Sequence, residues 1–522
     1  MLSIFAQADI PDIQWLPLIP HLVMAGAAVV LLTIVSVAGR WLPKWFPAAW
    51  TVAAGLAVLA TAIPVWMRAW EWGPHSVVAG SIGVDGFSVF IIVLLACTVV
   101  LTALVADGFL QRESLDGPAF YVLLMLSATG GITMASANNL IVLFLGLEIL
   151  SLAVYVLVAM HLRRAESQEA GIKYFVLGAF ASAFLLYGIA LVYGATGSLN
   201  LADIRLKQGW FAYAPDGSLS QDAGMQSVPE DAVVALADNS LLLAGMAMLL
   251  VGFGFKVAAV PFHAWTPDVY QGAPSPVVSY MAAGVKAAGF AALLRVFFAG
   301  FGGFADDWQP VVFGLAIATL AVGSLMAIVQ TDVKRILAYS SISHAGFILV
   351  GVQAATDAGV SSVLFYLAAY AAMAIGSFAV VTVVSGPGDE GTALDNLRGL
   401  ASRRPLLAAA FTVLLLSQAG IPFTAGFWAK FEVITAAVDA RSFWLAVIAM
   451  LAAVVAAFLY LRIVVAMFLD APDPDAPRLH IPRGPALAIT IVVLFTLAFG
   501  IYPEPLLNLA DDAWLSISFV AH

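Results

Sequence analysis

The chain has 522 residues, of which 62% are hydrophobic and only 10% are charged. Soluble domains carry about 25% charged residues, so this composition excludes an ordinary water-soluble enzyme, and its hydrophobicity excludes intrinsic disorder. The net charge of −10 is spread over short loops, and no basic face is available to meet nucleic acid. The composition therefore predicts an integral membrane protein that does not bind nucleic acid.

Fourteen apolar segments are each long enough to cross a membrane, which takes about 20 predominantly apolar residues. Such lengths argue against the roughly 10-residue alternating strands of a membrane β-barrel. The sequence therefore predicts an all-α polytopic membrane protein, a single integral membrane domain over 1–522, with a long extracytoplasmic loop at 195–238. The predicted spans are 16–39, 47–67, 86–106, 118–136, 139–160, 172–194, 239–261, 274–299, 309–330, 335–355, 359–384, 405–428, 442–468 and 484–502.

Basic residues in the loops predict the orientation, because cytoplasmic loops carry an excess of Lys and Arg. Loops after even-numbered spans hold four, namely Arg68, Arg205, Lys207 and Arg441. Loops after odd-numbered spans hold twelve, namely Arg40, Lys44, Arg112, Arg163, Arg164, Lys334, Arg335, Arg398, Arg403, Arg404, Arg478 and Arg483. This excess places the odd loops in the cytoplasm and both termini outside it.

Three basic residues lie near the ends of predicted spans. A long side chain at such a position can bring its charge to the membrane interface, which is called snorkelling. We predict snorkelling for Arg295 and Arg462. For Lys173, snorkelling and a role inside the membrane both stay open.

Lys256, Lys286 and Lys430 lie near the middle of their spans, where each charge costs about 2.5–3.5 kcal/mol on insertion scales. Glu148 is a mid-span carboxylate in the fifth span. One glutamate cannot neutralise three lysines, so structural ion pairs alone would leave two of these lysines without a carboxylate partner. Such residues usually face a bundle interior or a water-filled path. The pattern favours a row of groups that passes protons, each affecting the next.

Two histidines lie close to these charges. His263 follows Lys256 by seven residues, which is nearly the same face of a helix, and His344 follows Ser340 by four. A histidine inside a membrane protein can also be a hydrogen-bonded packing residue, and that alternative stays open. Because histidine titrates near neutral pH, the serine-flanked His344 favours a proton relay.

Helix-breaking residues interrupt the seventh and twelfth spans. Pro261 follows Lys256, whereas Gly420, Pro422 and Gly426 precede Lys430. Broken helices at membrane depth often line ion sites in transporters built from inverted repeats. The two interruptions are five spans apart, so we predict two inverted five-helix halves, spans 4–8 over 118–299 and spans 9–13 over 309–468.

The sequence lacks cofactor motifs. The single cysteine, Cys97, cannot form an internal disulfide or hold an iron–sulfur cluster, which needs about four ligands. The seven histidines lack zinc-type spacing, and no glycine-rich phosphate loop follows a strand. We therefore expect this chain to bind no metal and no redox cofactor.

Five segments carry a family resemblance: FLGLEILSLAVYVLVAM, EAGIKYFVLGAFASAFLLYGIALVYGATGSL, FKVAAVPFHAWTPDVYQGAPSPVVSYMAAGVKAAG, TDVKRILAYSSISHAGF and QAGIPFTAGFWAKF. Together they resemble subunit N of bacterial respiratory NADH–quinone oxidoreductase (complex I), the counterpart of mitochondrial NADH dehydrogenase subunit 2. The PFHxWxPD element is shared with Mrp-type antiporter subunits, whereas VYQGAPSP looks specific to subunit N. The resemblance covers about 80–470, and a longer segment near 208–237 departs from the family.

The resemblance implies a proton-translocating subunit in the bacterial inner (plasma) membrane, with an antiporter-like fold of fourteen helices. Its partners would be other membrane-arm subunits, including a neighbouring antiporter-like subunit. NADH, FMN, iron–sulfur clusters and quinone would belong to partner subunits. The implied roles are Glu148 paired with Lys256, Lys286 linking with His263 to the second half, His344 on the polar axis, Lys430 at the exit side and Lys173 near the uptake side.

Two other functions remain alternatives. A subunit of a Mrp-type Na⁺/H⁺ antiporter or of a membrane-bound hydrogenase would share the fold, but a sodium site with lysines beside it is disfavoured. A scaffold that only assembles the membrane arm would have its buried charges paired or snorkelled.

Overall fold

The computed structural model describes residues 14–115, 117–207, 239–471 and 479–513. Most of the predicted loop 195–238, from residue 208 onward, lies outside the described residues. A short antiparallel hairpin, β1 (His75–Val77) and β2 (Ile82–Val84), accompanies the helices. The helices are α1 (Ile19–Ala38), α2 (Phe46–Trp72), α3 (Gly86–Glu113), α4 (Gly117–Ser136), α5 (Leu140–Val158), α6 (Ala165–Thr196), α7 (Leu201–Lys207), α8 (Asn239–Val257), α9 (Trp265–Gly272), α10 (Ser275–Tyr280), α11 (Lys286–Leu294), α12 (Ala305–Ile328), α13 (Val333–Gln353), α14 (Asp357–Val384), α15 (Leu400–Arg403), α16 (Pro405–Ala419), α17 (Ala425–Asp439), α18 (Phe443–Phe468), α19 (Arg483–Ile501) and α20 (Glu504–Asp512).

Thirteen helical segments in the described part of the chain are long and apolar enough to cross a membrane, which confirms the all-α polytopic fold. The remaining predicted span, 405–428, is divided between α16 and α17, which have 15 residues each. A helix of that length is about 22 Å long, short of the ~30 Å of a bilayer core. The two helices therefore share one crossing, which ends at Asp439 and not at 428.

The spans differ in how deeply they are buried within the protein. The segments Ser275–Gly300 and Val333–Gln353 bury the whole of their most apolar stretch, whereas α1 buries only 22% of its own. Helices that are apolar all round and fully covered form the centre of the bundle. Lys286 and His344 belong to these central segments, so their surroundings are supplied entirely by protein.

Both predicted helix interruptions are confirmed. α8 ends at Val257, and the chain turns through 258–264 before α9 begins. α16 ends at Ala419, where Gly420 caps it in the left-handed conformation, and α17 begins at Ala425. Each break leaves backbone carbonyls of the preceding half-helix without partners in the helix. These carbonyls are available to polar groups at membrane depth.

A further irregularity precedes Lys286. Residues Met281–Val285 form a π turn between α10 and α11, and Arg295–Gly300 form a second one after α11. A π turn widens the helix and frequently occurs at functional sites. Lys286 is the first residue after the first π turn.

The prediction that Arg295 snorkels is wrong. The residue is 1% exposed, and Nη2 donates to Asp85 Oδ1 at 2.9 Å. Asp85 also caps α3 by accepting the Ser88 backbone N–H, directly after the β1–β2 hairpin. A carboxylate inside the protein therefore meets the guanidinium, and position along a span cannot reveal such a partner.

The prediction that Lys334 lies in a loop is also wrong. It is the second residue of α13, is fully buried, and donates from Nζ to Asp389 Oδ2 at 2.9 Å and to the Ala273 carbonyl at 2.6 Å. Arg462, in contrast, reaches the carbonyl of Ile328 at the end of α12, at 2.9 Å, as its predicted position near a span end allows.

The Arg295–Asp85 pair provides a test of the fold. Arg295→Met leaves a buried carboxylate without its cation, so we expect the free energy of unfolding to fall by about 3–5 kcal/mol. The measurement is Tm of the protein purified in detergent. The double variant Arg295→Met/Asp85→Asn removes both charges and keeps a residue that can cap α3, so it is expected to recover most of the loss. An unchanged Tm for Arg295→Met contradicts the assignment.

Candidate functional site

Four basic residues, here called the basic row, lie inside the bundle: Lys256, Lys286, His344 and Lys430. Each is at most 6% exposed. The described hydrogen-bond partners of the three lysines are all uncharged, either serine hydroxyls or backbone carbonyls. This distinguishes the row from Arg295, which has a carboxylate partner.

Lys256 and Glu148 lie in the same region, and each forms a hydrogen bond with a different serine. Lys256 Nζ donates to Ser151 Oγ at 2.8 Å, and Ser151 Oγ donates to the Leu147 carbonyl at 2.5 Å. Glu148 lies about one turn earlier on α5, where its Oε1 accepts from Ser182 Oγ at 2.5 Å. A small cavity lined by Ser151, Ser182 and Lys256 lies beside these contacts. The two predicted partners therefore bind serines that line one cavity, and the described chain records no direct ion pair between them.

Lys286 is held by α13. Its Nζ donates to the Ser341 carbonyl at 2.5 Å and to Ser341 Oγ at 2.6 Å, and it lies 5.5 Å from the centre of the Tyr370 ring. Gly289 lies one turn later on α11. If it were replaced by a residue with a side chain, the added Cβ would lie 3.3 Å from Lys256 Cγ. The absence of a side chain at Gly289 thus lets the helix of Lys286 pack directly against Lys256.

His344 is surrounded by tyrosines. Its Nδ1 lies 2.7 Å from Tyr366 OH, its Nε2 lies 3.2 Å from Tyr460 OH, and its ring centre lies 4.8 Å from that of Tyr370. A neutral imidazole has one donor and one acceptor nitrogen, and a phenol can serve either. The surroundings therefore satisfy either neutral form. The sequence singled out serines near His344 but no signal for these tyrosines.

Lys430 is placed at the interruption of the twelfth span. Its Nζ donates to the carbonyl of Ala419, the last residue of α16, at 2.9 Å, and lies 4.7 Å from the centre of the Phe347 ring. Carbonyls at a helix C-terminus carry partial negative charge that favours a cation. The broken helix therefore supplies the partner that no carboxylate provides.

Lys173 lies apart from the basic row. Its side chain is 40% exposed and forms ion pairs with Glu169 at 2.7 Å and Asp268 at 2.8 Å. Arg335 also pairs with Asp268, at 2.9 Å. Burial alone would raise the pKa of Asp268, but the hydrogen bonds from Lys173 and Arg335 hold this pKa below its ordinary value. Lys173 therefore belongs to a charge cluster at the protein surface.

His263 lies in the turn between α8 and α9. It is half-buried, and among the described residues its Nδ1 has no hydrogen-bond partner. The structure records no hydrogen bond in the described chain that joins it to Lys256 or Lys286. His263 is therefore close to the first interruption in sequence, but it is not brought into the hydrogen-bonded surroundings of the row.

Asp389 is a buried group that the sequence did not single out. Its carboxylate accepts from Lys334 Nζ and from the hydroxyl and backbone N–H of Ser275, at 2.7–3.0 Å, and Arg164 Nη1 lies 3.7 Å away. Burial alone would raise the pKa of Asp389, but the charge of Lys334 and these hydrogen bonds hold it below its ordinary value. The group ties the loop after α14 to the starts of α10 and α13.

Comparison with known proteins identifies the family. Residues 137–456 match the family described as NADH:quinone oxidoreductase/Mrp antiporter, TM. NADH-quinone oxidoreductase subunit N 3 of Streptomyces griseus is 47% identical over 413 residues, covering 79% of this chain and 71% of the relative. The chain belongs to the NADH-quinone oxidoreductase subunit N family. Subunit N of Salinispora arenicola is similar over nearly the full length, with 41% identity over 97% of this chain and 99% of its own.

A solved structure supports the same fold. A chain of respiratory complex I from Thermus thermophilus with bound Aureothin aligns with a TM-score of 0.76 and 34% identity, over 94% of this chain and 99% of that chain. The family resemblance inferred from the five sequence segments is thereby confirmed.

The cap at Gly420 can be tested with a matched control. Gly420 has φ of +90°, and a Cβ there would lie 2.9 Å from Lys430 Cδ. Left-handed backbone costs other residues about 1–2 kcal/mol, so Gly420→Ala is expected to lower the free energy of unfolding by that amount and to displace Lys430. Gly314→Ala, where a Cβ meets nothing within 4 Å in α12, is expected to be neutral or slightly stabilising. Equal Tm values for both variants would contradict this role.

Proposed function

We propose that this chain is the proton-translocating membrane-arm subunit N of an NADH–quinone oxidoreductase, coupled to quinone reduction in a partner. Family membership and the Thermus complex I structure support the assignment. The observation that carries the mechanism is the basic row, in which three buried lysines have only uncharged partners. The proposed class is a translocase subunit with no redox centre of its own.

Uncharged partners make the lysines suitable proton carriers. A buried ion pair holds its proton, because losing one charge strands the other. A lysine beside a hydroxyl or a carbonyl has no such penalty, since a neutral amine can still donate a hydrogen bond to the same oxygen. Lys256, Lys286 and Lys430 can therefore change protonation without breaking their contacts.

The proposed order of groups follows the geometry. Glu148 and Lys256 begin the path, since their serine partners, Ser182 and Ser151, line one cavity together with Lys256. Lys286 continues it, and His344 and Lys430 complete it in the second half.

Lys173 and His263 are given supporting roles. Lys173, paired with Asp268 at the surface, is proposed to lie near the uptake side. His263 is proposed to act at the interrupted seventh span, where its unpartnered Nδ1 is available for a hydrogen bond.

The path must be switched and not continuously open. Moving one charge across 100 mV is worth about 2.3 kcal/mol, so an open row would dissipate the gradient that it builds. We propose that protonation of Lys256 depends on the position of Glu148, whose partner Ser182 lines the same cavity as Lys256. Quinone reduction in the partner would move this charge, and the change would pass along the row to Lys430.

Partner subunits complete the enzyme in this proposal. NADH, FMN, iron–sulfur clusters and quinone would bind to them, because the single cysteine of this chain cannot ligate a cluster. Other membrane-arm subunits, including an antiporter-like neighbour, would cover peripheral helices such as α1. The proposed location is the bacterial inner membrane, with both termini outside the cytoplasm.

Two inverted halves, 118–299 and 309–468, are proposed within the single domain. The interruptions of the seventh and twelfth spans support this division, since a buried lysine lies close to each break.

A Mrp-type antiporter subunit is the second candidate, because the matching family includes Mrp antiporters. A sodium ion needs a cluster of oxygen ligands, and a neighbouring ammonium group would repel it. The basic row therefore favours protons. Pumping by the purified complex that requires sodium at constant pH would favour the antiporter.

The proposed path predicts that Glu148→Gln and Lys256→Ala each lower proton pumping driven by NADH oxidation by about tenfold or more. Each removes a group that must change its charge. The measurement is acidification of the interior of inverted membrane vesicles, with assembled complex quantified in the same membranes.

Lys44→Ala is the matched control, because Lys44 is exposed near the start of α2. Its pumping is expected to equal that of the unaltered complex. If Glu148→Gln and Lys256→Ala both pump normally, the proposed path is wrong.

A further inference from the structure

Gln418 lies where the broken helix α16 meets the basic row. It is 2% exposed, its Nε2 donates to Ser377 Oγ at 2.7 Å, and its Oε1 accepts from Ser340 Oγ at 3.1 Å. The next residue, Ala419, presents the carbonyl that accepts Lys430 Nζ. One amide side chain therefore joins α16 to α13 and α14 directly beside Lys430.

The hydrogen bonds continue from Ser340 to the histidine of the row. Ser340 Oγ and Tyr460 OH are 2.5 Å apart, and Tyr460 OH lies 3.2 Å from His344 Nε2. The other ring nitrogen, Nδ1, faces Tyr366 OH at 2.7 Å. Each hydroxyl has only one hydrogen to donate, so the direction of one bond in this chain determines the direction of the next.

With Gln418 Oε1 facing Ser340, the hydrogen bonds of the chain favour one tautomer of His344. Ser340 gives its hydrogen to Gln418 Oε1, so Tyr460 must give its own hydrogen to Ser340. Tyr460 can then only accept from the ring, so His344 carries a proton on Nε2. In the neutral ring, Nδ1 accepts from Tyr366.

Rotating the amide by half a turn allows the chain to run in the opposite direction. Gln418 Nε2 would donate to Ser340, Ser340 to Tyr460, and Tyr460 to Nε2 of His344. That nitrogen would then be an acceptor, and the proton of the neutral ring would lie on Nδ1. A doubly protonated imidazolium donates from both nitrogens and therefore fits only the first orientation.

We infer that Gln418 is a positioning residue whose amide orientation determines which nitrogen of His344 carries the proton, and that it links this choice to the end of α16 that holds Lys430. The amide neither takes up nor releases a proton at neutral pH, so no proton leaves along this branch. The inference rests on the proposed function, because it concerns proton transfer through His344.

The test uses the complete complex in membranes. Gln418→Leu removes both amide hydrogen bonds, and Tyr460→Phe breaks the same chain next to His344. Each is expected to lower coupled pumping roughly fivefold, the factor that corresponds to one net hydrogen bond. Because both substitutions act on one chain of hydrogen bonds, the double variant is expected to lose no more pumping than either single variant.

Ser377→Ala, which removes only the acceptor of Gln418 Nε2, is the milder variant if Gln418→Leu assembles poorly.

A spectroscopic measurement separates positioning from packing. The measurement is NMR of the complex with ¹⁵N-labelled histidine. The ring signals of His344 are assigned by their loss in His344→Gln. These signals report which ring nitrogen is protonated. The tautomer population is expected to change in Gln418→Leu and Tyr460→Phe. Thr496→Val is the control, because Thr496 is equally buried but bonds only its own helix, at Val492. Its pumping and its signals are expected to stay unchanged.

The outcomes are distinguishable. Any of three results would overturn the inference: normal pumping in Gln418→Leu, losses that add in the double variant, or an unchanged tautomer of His344. If Lys430→Ala abolishes pumping, these results leave the proposed path intact. Normal pumping in Lys430→Ala would overturn the proposed path, and the inference with it.

Discussion

A charge inside the bilayer must find its partner within the protein, and the kind of partner divides the buried cations of this chain into two groups. Arg295 and Lys334 meet the carboxylates of Asp85 and Asp389. Among the described residues, the lysines of the basic row donate hydrogen bonds to hydroxyls and carbonyls and to no carboxylate. A carboxylate partner holds a proton in place, whereas a neutral oxygen tolerates its loss. The same constraint thus produces fixed structural pairs in one group and, in the proposed mechanism, exchangeable protons in the other.

The broken helices follow from this constraint. An apolar helix pairs most of its carbonyls internally, so a buried ammonium group must share one of them, as Lys286 does at Ser341 in α13, or meet a carbonyl that a helix end leaves free. Ending α16 at Ala419 frees a carbonyl in the middle of the crossing, and Gly420 turns the chain away in a conformation that a larger residue would resist. Lys430 binds there although it belongs to the second half-helix. The interruption therefore places a favourable site for a cation without adding a negative charge that would trap it.

The sequence was sufficient for features that depend on composition along the chain. Span positions, both interruptions and the mid-span lysines could be predicted, because charge and helix breakers are rare in apolar segments. Features that depend on which side chains another helix or loop places next to a residue could not be predicted. Arg295 and Lys334 were misjudged because Asp85 and Asp389 are distant in sequence. Tyr366 and Tyr460 were indistinguishable from aromatic residues that face lipid, since only the packing of α14 and α18 against α13 brings them to His344.

In the proposed mechanism, the burial of the central helices keeps a row of carriers from acting as a leak. Lys286 and His344 belong to segments whose apolar stretches are covered completely by protein, so neither side chain faces lipid or the protein surface. Each carrier is held by short contacts to a neighbouring helix, and Gly289 keeps the helices of Lys256 and Lys286 in close contact. In the proposed mechanism, a proton therefore advances only when the charge on one group of the row changes the protonation equilibrium of the next. Because the hydrogen-bond partners are neutral, that equilibrium is set by the row itself, and the proposed movement of Glu148 at one end would be sufficient to change it.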